Sequence, residues 1–330
     1  MTISFLKPIQ AIVMLFLLLV IGYICGRTGV VDGTASKKLS RLVITITNPA
    51  LIIYSLIKMD YSAENLGLGL KTFLFGIIFH VVLAAFSFLC CLRLKPIEER
   101  KITEFTMIFG NVGFIGFPIL ESLLGNKGLF MGAFFVASFN IVLWTWGLSI
   151  IARGRKDIPL SPKKVLLNWG TVPCYIGIVL YLCKGLLPTL LPASITEGFS
   201  TYVSPPIMQA FSYVAPMCTP ISMFIIGALL AGRTARQLLT NGKIYYLCTL
   251  KLVLFPLLVC GAMRLLGMDP AWIWFGTIVA AMPSATVVTM LAELHDVVPE
   301  YSAQVVGTTS LLSVLTMPFV LILAQMIVGM

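Results

Sequence analysis

The chain has 330 residues, of which 58% are hydrophobic and only 11% charged. An ordinary soluble domain carries about 25% charge, so a water-soluble fold is excluded. A formal net charge of +10 would suit a nucleic-acid binder, but the basic residues crowd into alternate short loops, so the excess reports orientation in a membrane and predicts no nucleic-acid partner.

Ten apolar runs follow in chain order, each about as long as a helix needs to cross hydrocarbon. They are Ile9–Cys25, Leu42–Ile57, Leu70–Leu92, Phe105–Leu124, Leu129–Ile151, Thr171–Leu187, Ile207–Leu230, Tyr245–Leu266, Trp272–Leu291 and Val305–Ile327. Span 1 does not read as a cleavable signal, because it runs into Gly26-Arg27 without a small-x-small site. Lys and Arg cluster after spans 1, 3, 5 and 7, from Arg27 to Arg41, Arg93 to Lys101, Arg153 to Lys164 and Arg233 to Lys243. The positive-inside rule therefore predicts a multi-pass protein of the plasma (inner) membrane with both termini extracytoplasmic. The eight cysteines form no CxxC or metal-ligand spacing and read as small buried side chains. No metal or cofactor is expected.

A basic loop at residues 152–170 separates five spans in residues 1–151 from five in residues 171–330. A duplicated unit with an odd number of spans enters the membrane in opposite senses. The pattern thus predicts an all-α membrane protein of two inverted five-helix repeats. Lys71-Thr72-Phe73 opens span 3 as Lys243-Ile244-Tyr245 opens span 8, and Ser138-Phe139-Asn140 of span 5 answers Thr308-Thr309-Ser310 of span 10. Prolines predict breaks in span 2 at Asn48-Pro49 and in span 7 at Pro216 and Pro220.

Spans 4 and 9 carry the chemistry. One reads Phe109-Gly110-Asn111-Val112-Gly113-Phe114-Ile115-Gly116-Phe117-Pro118, the other Phe275-Gly276-Thr277-Ile278-Val279-Ala280-Ala281-Met282-Pro283. Each has Phe-Gly followed by a proline near mid-depth. Paired interruptions of this kind point to a transporter's binding site, because unwound backbone survives in a bilayer only where it is buried in protein or lines a cavity. Helices restarting near Pro118 and Pro283 would aim two N-termini, each with roughly half a positive charge, at one place and so hold a carboxylate. Gly110, Gly113 and Gly116 permit unwound backbone, Asn111 offers an amide, and Thr277, Ser284 and Thr286 offer hydroxyls. The competing reading is ordinary Gly/Pro kinks at helix contacts. On the functional reading Pro118→Ala cripples turnover, since a continuous helix fills the anion site.

Ionisable residues within spans are functional candidates. His80 of span 3 and Lys251 of span 8 occupy nearly corresponding positions, and either supplies a titratable or neutralising charge. The alternatives are a packed histidine and a lysine that snorkels or pairs with Glu293. Glu121 and Glu293 lie toward the ends of spans 4 and 9, where simple solvation competes with a coupling role. Asn140, ahead of Trp144 and Trp146, either lines a substrate path or bonds within helix packing. No span contains Asp, and Walker A, HExxH and GxSxG motifs are absent, which removes the paired carboxylates of a sodium/proton antiporter, ATP hydrolysis and protease or hydrolase chemistry.

The run Gly110-Asn111-Val112-Gly113-Phe114-Ile115-Gly116-Phe117-Pro118-Ile119-Leu120 with Gly125, the run Ala281-Met282-Pro283-Ser284-Ala285-Thr286 with Ala292-Glu293, Asn48-Pro49 and the segment Thr308–Pro318 resemble the auxin efflux carrier family over essentially the whole chain. The resemblance implies ten helices with crossed, broken helices 4 and 9. Spans 1, 2, 6 and 7 would form a scaffold, often dimeric, and spans 3–5 and 8–10 a mobile transport domain working by elevator-type alternating access. Asn111, Pro118 and Pro283 match the crossover asparagine and prolines. The short basic loop at 152–170 and Glu121 depart from the plant exporters, which favours a bacterial-type permease for a small carboxylate such as malate or malonate over an auxin-like acid. Proton or sodium coupling is left open. A membrane receptor that binds a carboxylate without moving it is the alternative, and a membrane-embedded enzyme comes third for want of a nucleophile and base.

Overall fold

The computed structural model describes residues 6–155, 167, 171–232 and 241–328. Most of the basic loop at 152–170, and Arg233 and Arg236, lie outside the described residues. Within them the architecture is helical throughout, without a strand beyond one isolated bridge. Seven helices are long and apolar enough to cross a membrane: Gly33–Ile57, Ala63–Cys91, Ile119–Ala152, Thr171–Leu190, Ala193–Ala228, Gly242–Leu265 and Pro299–Val328. Phe16–Arg27 and Pro270–Ala280 are shorter apolar helices. Apolar side chains face outward, as lipid allows: on Ala63–Cys91, Leu70, Leu74, Ile78, Val81 and Leu89 are exposed on one flank, while Gly69, Thr72, Gly76, Leu83 and Ser87 are buried on the other. Small and polar residues take the packed side because lipid tails reward no further burial of leucine.

Prolines are absorbed more often than they break the chain. A five-residue π-helical turn precedes Asn48-Pro49 (Val43–Thr47), Phe117-Pro118 (Val112–Gly116), Ser204-Pro205 (Phe199–Val203) and Phe255-Pro256 (Leu250–Leu254). Proline lacks an N–H and its ring collides with the carbonyl four residues back; the wider turn moves that carbonyl aside. The break predicted at Asn48-Pro49 is therefore not one, and the chain stays helical from Gly33 to Ile57. Span 7 also continues: Pro216 lies in a 3-10 turn, Ala215–Met217, and Pro220 in the first turn of Cys218–Ala231, where its missing N–H costs little.

Span 4 is interrupted, but earlier than Pro118. The helix Ile97–Ile108 ends at Phe109, whose backbone is extended (φ −102°, ψ 106°). Helical backbone resumes at Val112, and Pro118 sits in the first turn of Phe117–Val142 behind its π turn. Span 9 is interrupted around its proline: Pro270–Ala280 ends, residues 281–286 are non-helical, and Val287–Leu294 follows. Gly125, at φ 61° and ψ −149°, separates spans 4 and 5 with a kink that a side chain would resist.

Leu6–Arg27 packs along Cys218–Ala231 so closely that a Cβ on Gly22 or Gly227 would enter the partner helix's backbone. Asn48–Ile57 packs on Thr171–Leu190, and Lys184 donates to the carbonyls of Ile57 and Met59 (3.4 and 3.3 Å) and meets Asp60 at 3.2 Å. The cation thus neutralises the carbonyl end of that helix. Ala63–Cys91 packs on Phe117–Val142, and Phe255–Leu265 on Pro270–Ala280 and Pro299–Val328.

Candidate functional site

The two interruptions meet. Asn111 N–H donates to the Pro283 carbonyl (2.7 Å) and Ala285 N–H to the Phe109 carbonyl (2.9 Å), bracketing the antiparallel pair Gly110 and Ser284. An unpaired backbone group at membrane depth costs several kcal/mol, so each interruption satisfies the other. Gly110 lets the two backbones approach this closely, since a Cβ there would stand 3.0 Å from Met282 Cβ and force it to give way.

Carbonyls at the end of Ile97–Ile108 find partners outside the helix. Ser284 Oγ donates to the Thr106 carbonyl (3.4 Å), and Lys251 Nζ donates to the Met107 carbonyl (2.9 Å). Lys251 is buried (3% exposed) within the π turn Leu250–Leu254. A cation at a helix C-terminus offsets its partial negative charge, which explains how this ammonium is held inside the protein. On the far side of the crossing, new helices start at Val112 and Val287; their first turns are already closed in part by backbone bonds, Val112 N–H to the Gly110 carbonyl, Ile115 N–H to that of Asn111, and Val288 and Thr289 N–H to those of Ala285 and Thr286. The crossing therefore brings two helix starts together with the carbonyl ends of Ile97–Ile108 and Pro270–Ala280, and Lys251 donates to the first of these.

Ser284 N–H donates to Thr309 Oγ1 (3.3 Å), which ties the second interruption to Pro299–Val328. Away from the crossing, Ile97–Ile108 is pinned by ion pairs. Buried Glu104 accepts from Arg100 (2.6 Å) and Arg153 (2.9 Å), and Glu99 accepts from Lys243 (2.6 Å). Thr103 also hydrogen-bonds Tyr301 at 2.9 Å.

Of the residues expected at the site, Asn111, Gly116, Pro283 and Ser284 are buried at or beside the crossing, and Gly113 and Thr286 are partly exposed there. Thr277, on Pro270–Ala280, donates to the Ile273 carbonyl (2.7 Å) within its own helix. Pro118 belongs to the following helix, and its side chain lies outside the described residues. His80 is buried one layer behind the crossing: its ring stacks on Phe109 (5.8 Å) and lies against Phe135 and Phe139, and Nδ1–H donates to the Gly76 carbonyl (2.6 Å). Asn140 is turned onto its own helix, its amide donating to the Val136 carbonyl (2.9 Å). Glu121 is exposed, and the Glu293 side chain lies outside the described residues. Pro49 is partly exposed on span 2. Two residues stand closer to the site than the sequence reading placed them: Thr309, noted there as part of a repeat match and of the family-like segment Thr308–Pro318, bonds Ser284, and Asn48, noted there as a break and a scaffold position, lies beside Gly113.

A cavity of about 40 Å³ lies next to the crossing, lined by Ile115 and Ile119, by Ser310 and Ser313, and by Leu19 and Met223 from the close-packed pair. It has room for about one water in this conformation.

A sequence profile of the family described as membrane transport protein matches residues 8–321. The "Putative malonate transporter" of Rhizobium meliloti is 25% identical over 322 residues, covering 94% of this chain and 93% of that protein. An uncharacterized transporter of Methanothermobacter thermautotrophicus is 20% identical, covering 95% and 97%. One from Methanocaldococcus jannaschii is 21% identical, covering 69% and 71%.

Proposed function

This chain belongs to the membrane transport protein family, the auxin efflux carriers, and from that premise we propose that it moves a small carboxylate by alternating access at the crossing of spans 4 and 9. It is a multi-pass membrane transport protein and not an enzyme. The observation that carries the substrate class is the backbone pairing of the two interruptions, with helix starts on one side and Lys251 neutralising the carbonyl end on the other. Asn111 and Thr286 are the side chains assigned to the carboxylate; Ser284 would join them only by turning its hydroxyl away from the Thr106 carbonyl. Malonate, named for the Rhizobium relative, is the first substrate to try.

The wider reading is two inverted five-helix repeats, to which the seven long helices, the N-terminal helix and the two interrupted runs would supply ten crossings. The packing of Leu6–Arg27 on Cys218–Ala231, and of Asn48–Ile57 on Thr171–Leu190, supports a scaffold of spans 1, 2, 6 and 7 through which two copies pair. The ion pairs joining Ile97–Ile108 to Arg153 and Lys243 support spans 3–5 and 8–10 moving as one elevator body. The membrane on this reading is the plasma (inner) membrane with both termini outside, and proton or sodium coupling is the question the assay below addresses. Counterflow of labelled malonate in proteoliposomes, run with and without sodium and across pH, tests this. Exchange above empty liposomes is expected; tight binding without exchange would favour a receptor.

A further inference from the structure

The basic residues that follow spans 1, 3, 5 and 7 do not share one fate. Arg100, Lys101, Arg153 and Lys243 each pair with a glutamate, at 2.6 to 2.9 Å. Arg27, Lys37, Lys38 and Arg41 are exposed, and none of them forms an ion pair among the described residues. Asp32, the one acidic residue between Arg27 and Arg41, caps its own helix by accepting from the Ala35 N–H (2.6 Å).

The helix Gly33–Leu42 gathers three of these cations on one face. It packs on Cys218–Ala231, with Ser36 and the following Val43 buried. At about 100° per residue, Lys37, Lys38 and Arg41 fall within an arc of about 100° on the opposite face. The turn before the helix is tight: Val31 N–H donates to the Cys25 carbonyl (3.0 Å), which keeps Arg27 at the same end of the two spans. Helical backbone then runs from Gly33 to Ile57, and its apolar run begins at Leu42. Arg41 therefore stands at the edge of the hydrocarbon. Lys37 and Lys38 lie about one turn, roughly 5 Å, beyond it, which is the depth of the lipid headgroups.

We infer that the face formed by Lys37, Lys38 and Arg41, with Arg27 beside it, binds the headgroup phosphate of an anionic phospholipid and so ties spans 1 and 2 to the inner leaflet. Lysine and arginine donate to phosphate oxygens, and basic clusters just inside a span are drawn to anionic lipid, each added charge strengthening the attraction severalfold. A zwitterionic lipid carries its own ammonium, which cancels most of this attraction. The cations paired with glutamates offer no comparable field, because their charge is already balanced. This site is independent of the transported substrate and depends only on the inner orientation of the basic loops.

Tail-labelled phosphatidylglycerol and phosphatidylcholine with the same acyl chains, titrated onto the purified full chain in neutral detergent, test the site. Wild-type protein is expected to bind phosphatidylglycerol roughly tenfold more tightly, and high salt should erase the difference, since exposed charges are screened. Lys37→Gln/Arg41→Gln, one turn apart on the exposed face, should remove most of the preference. Lys38→Gln alone should lower it in part, and decides the matter if the double variant fails to fold. Arg93→Gln/Lys95→Gln takes the same charge from the exposed turn after span 3 and should leave the preference largely intact. A preference that survives in the folded variants of the helix face, or that falls equally in the Arg93/Lys95 control, overturns the site and leaves only the net charge of the inner surface. A preference that survives high salt overturns it too. Displacement of the labelled lipid by an equal concentration of glycerol phosphate would make soluble phosphate the ligand and overturn the lipid.

Discussion

The two halves of the crossing are built by different means. Phe109–Asn111 leaves helix without a proline: glycine gives the space, and the nearest proline, Pro118, rides in the next helix behind a π turn. Pro283 instead stands inside its interruption, and its own carbonyl accepts the Asn111 N–H. Proline position alone therefore does not locate a break in this chain. A break survives where the backbone groups it frees find partners, and at this depth each interruption is the other's partner.

That comparison is broken most severely by removing the space it needs. Gly110→Val pushes a branched side chain against Met282 and the Val279 carbonyl, and overpacking of this kind costs about 1–3 kcal/mol. Uptake should fall to background while the protein melts a few degrees lower. Wild-type uptake in a folded variant would separate transport from the pairing. Asn111→Ala keeps the backbone bond and removes only the amide, so malonate affinity should drop roughly tenfold, the scale of one hydrogen bond to a charge. An unchanged dissociation constant by calorimetry removes Asn111 from the site. Lys251→Met sharpens the difference in charge between the two sides of the crossing. It leaves the Met107 carbonyl without its donor but also spares the burial of an ammonium, whose desolvation costs several kcal/mol. We expect a melting temperature no lower than wild type, with uptake reduced roughly tenfold because the negative helix end now faces the anion. Full activity would make Lys251 a structural cap only.

Much of this is legible in the sequence. Apolar runs and alternating basic loops gave the membrane class, and Gly110-Asn111 and Pro283-Ser284 stood out because polar and helix-breaking residues are costly in lipid. What could not be read was how proline is accommodated. Asn48-Pro49 and Pro118 look like breaks in sequence, and only the π turns before them show otherwise. Nor could the sequence show that Lys251 points at a carbonyl, or that Thr309 holds the Ser284 N–H. These are contacts between residues far apart in the chain, whose types fit many partners. His80 and Asn140 were ambiguous for the same reason, and each bonds to its own helix.

The smallest effect should come from Pro118→Ala, which the sequence alone made crippling to turnover. Pro118 lies in helical backbone, after the chain has already restarted at Val112. Alanine restores an N–H and removes the ring, so the π turn Val112–Gly116 can relax toward an ordinary α turn without closing the gap at Phe109–Asn111. The first N–H groups after Asn111 then shift by a fraction of a turn but still face the crossing. Uptake should stay within about threefold of wild type, corresponding to less than 1 kcal/mol, and stability should rise slightly because alanine is the better helix former. Pro283→Ala, made in parallel, removes the residue that keeps residues 281–286 out of helix and should cost far more. If the two alanine variants lost activity equally, the π turn at Val112–Gly116 would belong to the binding site as much as the pairing does, and the contrast between the two interruptions would disappear.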